Sequence, residues 1–334
     1  MTRNRLLVSG FAVLATVTLT PVPVPAQSKA VATARTPDGK PNLAGIYSFS
    51  TITPLQRPDA LAGKTTLNDE EAVAFEASEN TRQNRDLFDP VKGQPSAGYA
   101  SRADGGVLSY NEFWYERGSK LTGDRRTSLI VDPQSGTIPF TDTARQRVAE
   151  NRRRSDAGVG DSYADRPLAD RCIQGFNSGP PMTPGQYNNN VQIVQTPGMV
   201  VILNEMVHNA RIIPTDGRPH LPEGVRLWKG DSRGHWDGDT LVVETTNFSD
   251  KNPFRGSSTN LKLTERFRRA DANTLIYQFT VDDKETWERP WTVEIPVTRS
   301  QGQLFEYACH EGNYGLAGAL RGARAEEEDA KKTK

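Results

Sequence analysis

The chain has 334 residues with 41 basic and 41 acidic side chains, a formal charge of zero. It shows no basic domain or stripe of the kind that a nucleic-acid partner requires, so none is expected. The densest basic run, Arg152-Arg153-Arg154, ends a mixed-charge segment and reads as a solvated helix end.

In chain order, Arg3 and Arg5 precede an apolar stretch from Leu6 to about Leu19 and the small-residue site Val24-Pro25-Ala26, a pattern that predicts a signal peptide over 1–26. The apolar stretch is shorter than the roughly 20 residues of a spanning helix, and no later one is long enough. The expected localisation is therefore periplasmic or secreted, with no membrane span after cleavage. Cleavage removes two arginines and no acid, leaving a net charge of −2. Residues 27–40 read as a linker, 41–323 as a single elaborated β domain and 324–334 as a disordered charged tail.

The segment Leu43 to Phe49 reads as a first strand. Asn68 with Glu71 three residues on is a capping-box pattern for a helix from Asp69 to about Ser78. Residues 80–106 read as a long loop, followed by strand-like segments at Val107 to Tyr115 and Thr127 to Val131, then a turn at Pro133-Gln134-Ser135-Gly136. Thr141 or Asp142 opens a helix through about Arg154 that is too polar for a core. Residues 155–190 are rich in Gly, Pro, Asp and Asn and read as an irregular connection. From Val191 a meander begins: 191–196, 199–204, 210–214, 240–246, 261–267, 274–281, 291–298 and 304–308, with Trp236-Asp237-Gly238-Asp239 as a tight turn. Short strands at this spacing predict a mainly β fold, an antiparallel meander closing into a barrel or cupped sheet with one or two short peripheral helices and long loops.

Cys172 and Cys309 are the only cysteines, and an even count in an exported chain predicts a disulfide. Its role would be to pin the irregular connection to the C-terminal sheet. No Walker loop, dinucleotide turn or Gly-x-Ser-x-Gly elbow occurs, which excludes the common nucleotide enzymes and serine hydrolases.

The stretches GDSRGHWDGDTLVVETTNF at 230–248 and ACHEGNYG at 308–315, together with 41–45 and 211–214, resemble a family of exported bacterial proteins. The resemblance covers most of the mature chain, implies export and carries over no catalytic residues. At fold level, the Gly45-Ile46-Tyr47 entry strand and the meander are also similar to calycin or lipocalin-type barrels, which implies ligand binding by analogy.

The candidate chemistry follows from side chains able to face a barrel pocket. His310, beside Glu311 and the flexible Gly312 and Gly315, is expected as a general acid or base with Glu265, Glu244 or Glu311 as carboxylate partner; His208 can join it if the sheet closes. Tyr47, Trp114, Asn190, Arg211, Trp236, Trp291 and Tyr314 are the expected ligand-binding set. His220, flanked by Pro219 and Pro222, and His235 read as loop residues. No His-x-His, His-x-x-x-His or His-Glu-x-x-His spacing exists, and the turn acids Asp237, Asp239, Asp282 and Asp283 read as solvated, so no metal is expected. No organic cofactor is expected. The leading expectation is a small-molecule enzyme of hydrolase, lyase or isomerase type. The alternatives are a non-catalytic lipocalin-like carrier of an apolar or aromatic molecule and an envelope interaction module.

Overall fold

Period-two alternation dictates the sheet: along Thr274–Asp282 every second side chain, from Leu275 to Val281, is fully buried, and along Trp291–Arg299 the same holds for Trp291, Val293, Ile295 and Val297. A computed structural model describes residues 34–87, 112–156 and 160–332. The expected signal peptide and the stretch 88–111, with most of the 80–106 loop and the first part of the 107–115 strand, lie outside the described residues.

Ten strands form one antiparallel sheet: β1 (Gly45–Ser48), β2 (Ile130–Asp132), β3 (Asn190–Thr196), β4 (Met199–Asn204), β5 (Asn209–Pro214), β6 (Asp231–Asp237), β7 (Thr240–Thr246), β8 (Lys262–Arg269), β9 (Thr274–Asp282) and β10 (Trp291–Arg299). Their spatial order is β5-β4-β3-β1-β10-β9-β8-β7-β6, with β2 beside β10. The sheet curls into a nearly closed barrel. Its outer strands β5 and β6 approach one another at Gly234, where a Cβ would come within 3.0 Å of both Thr215 and Ile213 side chains. Glycine there lets the two backbones converge. Along β10, β2 pairs with Thr292 and Val293 and β1 with Thr298 and Arg299. Pro296, which has no N–H to give, falls in the stretch between them.

Three helices decorate the barrel. In α1 (Asp69–Gln83) the expected capping box forms: Asn68 Oδ1 accepts from Glu71 N–H at 2.9 Å and Glu71 accepts from Asn68 N–H at 3.0 Å. Ala72 and Phe75 pack it onto Ile52, Leu67 and Leu121. The second, α2 (Asp142–Asp156), is solvated except at Ala144 and is tied down by Arg147, which donates to Gly256 O at 2.7 Å. The third, α3 (Tyr314–Lys332), runs through 324–332, where the charged composition led to an expectation of disorder; Ala, Glu, Arg and Lys there are all strong helix formers.

Two expected strands differ from the structure. Glu112–Trp114 is a single 3-10 turn closed by Tyr115 N–H on Glu112 O. Residues 304–308 form no strand, since both edges of β10 are already taken by β9, β1 and β2. Strand β6 went unread because Gly234 and its charged neighbours lack a β signal.

The barrel interior is packed. Phe267, Tyr277, Phe279 and Trp291 form a chain of ring contacts 4.9–6.2 Å apart, and Phe254 caps it by stacking on Trp291. Inside this apolar shell sits one charged group of residues. Arg211 on β5 grips Glu265 on β8 in a two-pronged ion pair, Nη1 to Oε2 at 2.5 Å and Nη2 to Oε1 at 3.0 Å. Tyr277 donates its hydroxyl to Glu265 Oε1 at 2.8 Å and accepts from Met182 N–H at 3.0 Å.

Cys172 and Cys309 form the expected disulfide, with Asn313 Nδ2 3.3 Å from Cys172 Sγ. The bridge ties the irregular 160–189 segment to the chain after β10. Because it spans 137 positions, breaking it is expected to lower unfolding free energy by up to about 5 kcal/mol. Urea denaturation of a Cys172→Ser/Cys309→Ser variant measures this. Its far-UV spectrum is expected to keep the β signature, since neither cysteine lies in a strand.

Candidate functional site

Antiparallel strands in a meander alternate between tight turns at one end and room for excursions at the other. Here the turns 197–198, 238–239 and 270–273 close one end, while 49–189, 205–208, 247–261 and 283–290 all leave from the other. The excursions wall a cleft of about 560 Å³ lined by His220, Thr246, Asn247, Lys262, Asp282 and Lys284, among others. His220 on its wall is hydrogen-bonded to a carboxylate behind it.

His220 lies on the 215–230 connection between β5 and β6, and its Nδ1 is 2.9 Å from Oδ2 of Asp231, the first residue of β6. Asp231 is almost fully buried. It accepts Leu221 N–H on Oδ2 at 2.9 Å and Arg233 Nη1 on Oδ1 at 2.6 Å. With both oxygens occupied by donors, the carboxylate acts as acceptor towards His220, which fixes the imidazole proton on Nδ1 and leaves the Nε2 lone pair free. The His220 side chain is 31% exposed and faces the cleft. The connection is held in place by Asn247, whose left-handed backbone (φ 57°) turns its amide to donate to Leu221 O at 3.0 Å and Pro222 O at 3.1 Å. Across the cleft, Asp283 is buried and saturated by Ser258 and Thr286, so it shapes the wall; Lys262 and Lys284 have no partner among the described residues.

The residues expected from sequence fall elsewhere. His208, His310 and Glu311 do share a cleft, of about 270 Å³, beside the disulfide on the outside of the barrel. Both histidines are exposed, and neither imidazole is oriented by a carboxylate hydrogen bond among the described residues. Glu265 is not with them: it is wholly inside the barrel with Arg211 and Tyr277. Glu244 faces solvent on β7. Of the expected ligand set, Tyr47 and Trp291 are fully buried in the packed interior, whereas Trp114 (64% exposed) and Tyr314 (82%) stand on the surface. Trp236 is partly buried at the edge of the core. Asn190 links two carboxylates, donating to Glu205 at 2.7 Å and Glu116 at 3.1 Å. Burial and then the Glu205 charge raise the Glu116 carboxyl above its usual range, against the Asn190 bond that lowers it.

Burial lowers the Arg211 guanidinium, but the Glu265 charge and hydrogen bonds overcome this and raise it. Tyr277 is pushed well above an ordinary phenol, first by burial and then by the Glu265 charge. Lys229, near this group and 3.4 Å from Ala210 O, is lowered from 10.5 to about 8 by burial and by Arg211. The folded state thus binds fewer protons than the unfolded chain between about pH 8 and 10.5, so stability is expected to rise with pH across that window. Denaturant midpoints at pH 7.5 and 10 check this, and Lys229→Met is expected to flatten the slope.

His220 and Asp231 were missed because nothing local pairs them. The histidine sits in a proline-flanked loop and the acid in an unread strand, and only the return of the connection alongside β6 joins them. No protein-family profile, curated protein or solved structure matches the chain.

Proposed function

We propose that the protein is an enzyme that moves a proton on a small polar molecule, with His220 as general base or acid and Asp231 as its positioning residue. The single observation that carries this is the His220–Asp231 pair, a buried acceptor-saturated carboxylate holding an imidazole whose second nitrogen faces an open cleft. The cleft walls carry both signs of charge, Lys262 and Lys284 beside Glu223, Asp282 and Glu285, which suits a polar substrate. The reaction class is that of hydrolases, lyases or isomerases acting by proton transfer from the protein's own side chains. Export belongs to the same reading: the 1–26 signal pattern, the family resemblance and the disulfide agree with it, and no helix among the described residues is long and apolar enough to cross a membrane.

A second reading keeps His310 as the acid–base group in the outer cleft, supported by its sharing that cleft with His208 and Glu311. The carrier reading draws no support from the interior, which is filled by aromatic side chains and the Arg211–Glu265 pair. The experiment is a substrate screen of the wild-type protein against esters, lactones and hydroxy acids, followed by His220→Gln and His310→Gln on any substrate turned over. Activity that survives in His220→Gln and disappears in His310→Gln overturns the first reading.

A further inference from the structure

On a different face of the molecule, two smaller clefts, of about 200 and 360 Å³, share Thr183 and Arg255 at their common wall. We propose that together they form a binding groove for an oxyanion, a carboxylate or phosphate group of a small ligand, with Arg255 as its principal contact.

The charge balance of the groove leaves one cation over. Arg82 is matched by Glu79, bonded to both of its oxygens at 3.0 and 3.1 Å, and Arg117 pairs with Glu112. Arg255 has no hydrogen bond or ion pair among the described residues. Arg255 is exposed at the groove, although the chain packed around it lowers its guanidinium below the ordinary value. A guanidinium that is open to a groove and has no counter-charge is free to donate a charge-assisted hydrogen bond to an anion seated beside it.

Two further observations agree. Arg117, 6% exposed and lining the same groove, leaves its Nε buried without an acceptor. The Arg255 backbone is left-handed (φ 51°, ψ 33°), a conformation that disfavours a long side chain. It is pinned there from both sides. Phe254 stacks on Trp291, and the carbonyl of Gly256 receives Arg147 Nη2 at 2.7 Å. The frame therefore places Arg255 at the junction of the two clefts, whose walls also carry Thr183 and, in the smaller one, Gln186. Strain held at a residue whose side chain has no structural partner is the pattern of a binding site. The inference is independent of the His220 reading, since the two clefts share no residue.

The test is calorimetric titration of the full oxidised chain with inorganic phosphate and, separately, with acetate, at ionic strength fixed with sodium chloride. Arg255→Asn is the partner variant, because Asn tolerates a left-handed backbone and keeps the turn. Saturable binding of either anion is expected in the wild type, weakened at least 10-fold in Arg255→Asn. Phosphate alone binding assigns a phosphorylated ligand, and acetate binding assigns a carboxylate. Thermal midpoints in both proteins serve as a second measurement, since phosphate also stabilises proteins by exclusion from their surface. A phosphate-dependent rise of equal size in wild type and variant, or no saturable heat with either anion, overturns the proposal.

Discussion

His220→Gln is expected to lower kcat for the proton-transfer substrate by about 10²–10⁴-fold, the usual contribution of a positioned general base. KM is expected to change little, because the imidazole acts on the moving proton rather than on the ground-state complex. Asp231→Asn tests the orientation argument. Both carboxylate oxygens accept hydrogen bonds, Oδ1 from Arg233 and Oδ2 from Leu221 and His220. An amide offers one acceptor oxygen, so in either orientation its NH₂ meets a donor, Arg233 in one and Leu221 with His220 in the other, and the carboxylate charge behind the imidazole is lost in both. Activity is expected to fall by a similar factor. A merely structural Asp231 would lower activity only through loss of folded protein, so kcat measured per folded molecule separates the two roles.

The second large effect lies inside the barrel. Glu265→Gln leaves Arg211 charged and buried beside Lys229, and is expected to cost about 3–5 kcal/mol in urea unfolding, as is Arg211→Met for the opposite reason. The double variant Arg211→Met/Glu265→Leu removes both charges and fills the space with apolar atoms. It is expected to recover most of that loss, and on the general behaviour of buried pairs can equal the wild type. Tyr277→Phe is the milder member of the set: it strips one donor from Glu265 and one acceptor from Met182 N–H, at about 1–3 kcal/mol. Additive losses in the double variant would show that the pair is not coupled and would overturn this account.

Apart from β6, the strands from Asn190 onward were legible because each is a complete local signal: alternation, a turn residue at the boundary and a buried face. The capping box at Asn68 and the disulfide were legible for the same reason, one from a four-residue spacing and the other from a count of two. The site was not. Glu265 was one of several candidate carboxylates whose facing the sequence left open; it lies inside the barrel, its partner Arg211 lies across it, and no spacing connects β5 to β8. His310 drew attention through its Gly-rich neighbours, but the segment around it hangs on the disulfide outside the barrel. His220 looked like an ordinary loop residue until the 215–230 connection brought it to Asp231. Chemistry here depends on side chains joined by long-range closure, and closure is what local patterns do not record.

The four-residue strand β1 is the joint of the sheet: Tyr47 faces Val191 on one side and Arg299 on the other, so β1 alone links β3-β4-β5 to β10-β9-β8-β7-β6. Strand β1 is synthesised well before β10 and therefore finishes its pairing only when that strand arrives. Hairpins such as β6–β7 and β8–β9 can form from neighbouring sequence, but the barrel cannot knit until nearly the whole chain is present. Assembly is thus a late, single event dominated by non-local pairing, and until then the edges of β3 and β10 stay open to other chains. A protein built this way folds slowly relative to its size and depends on being held apart from its own copies until the first strand finds the last.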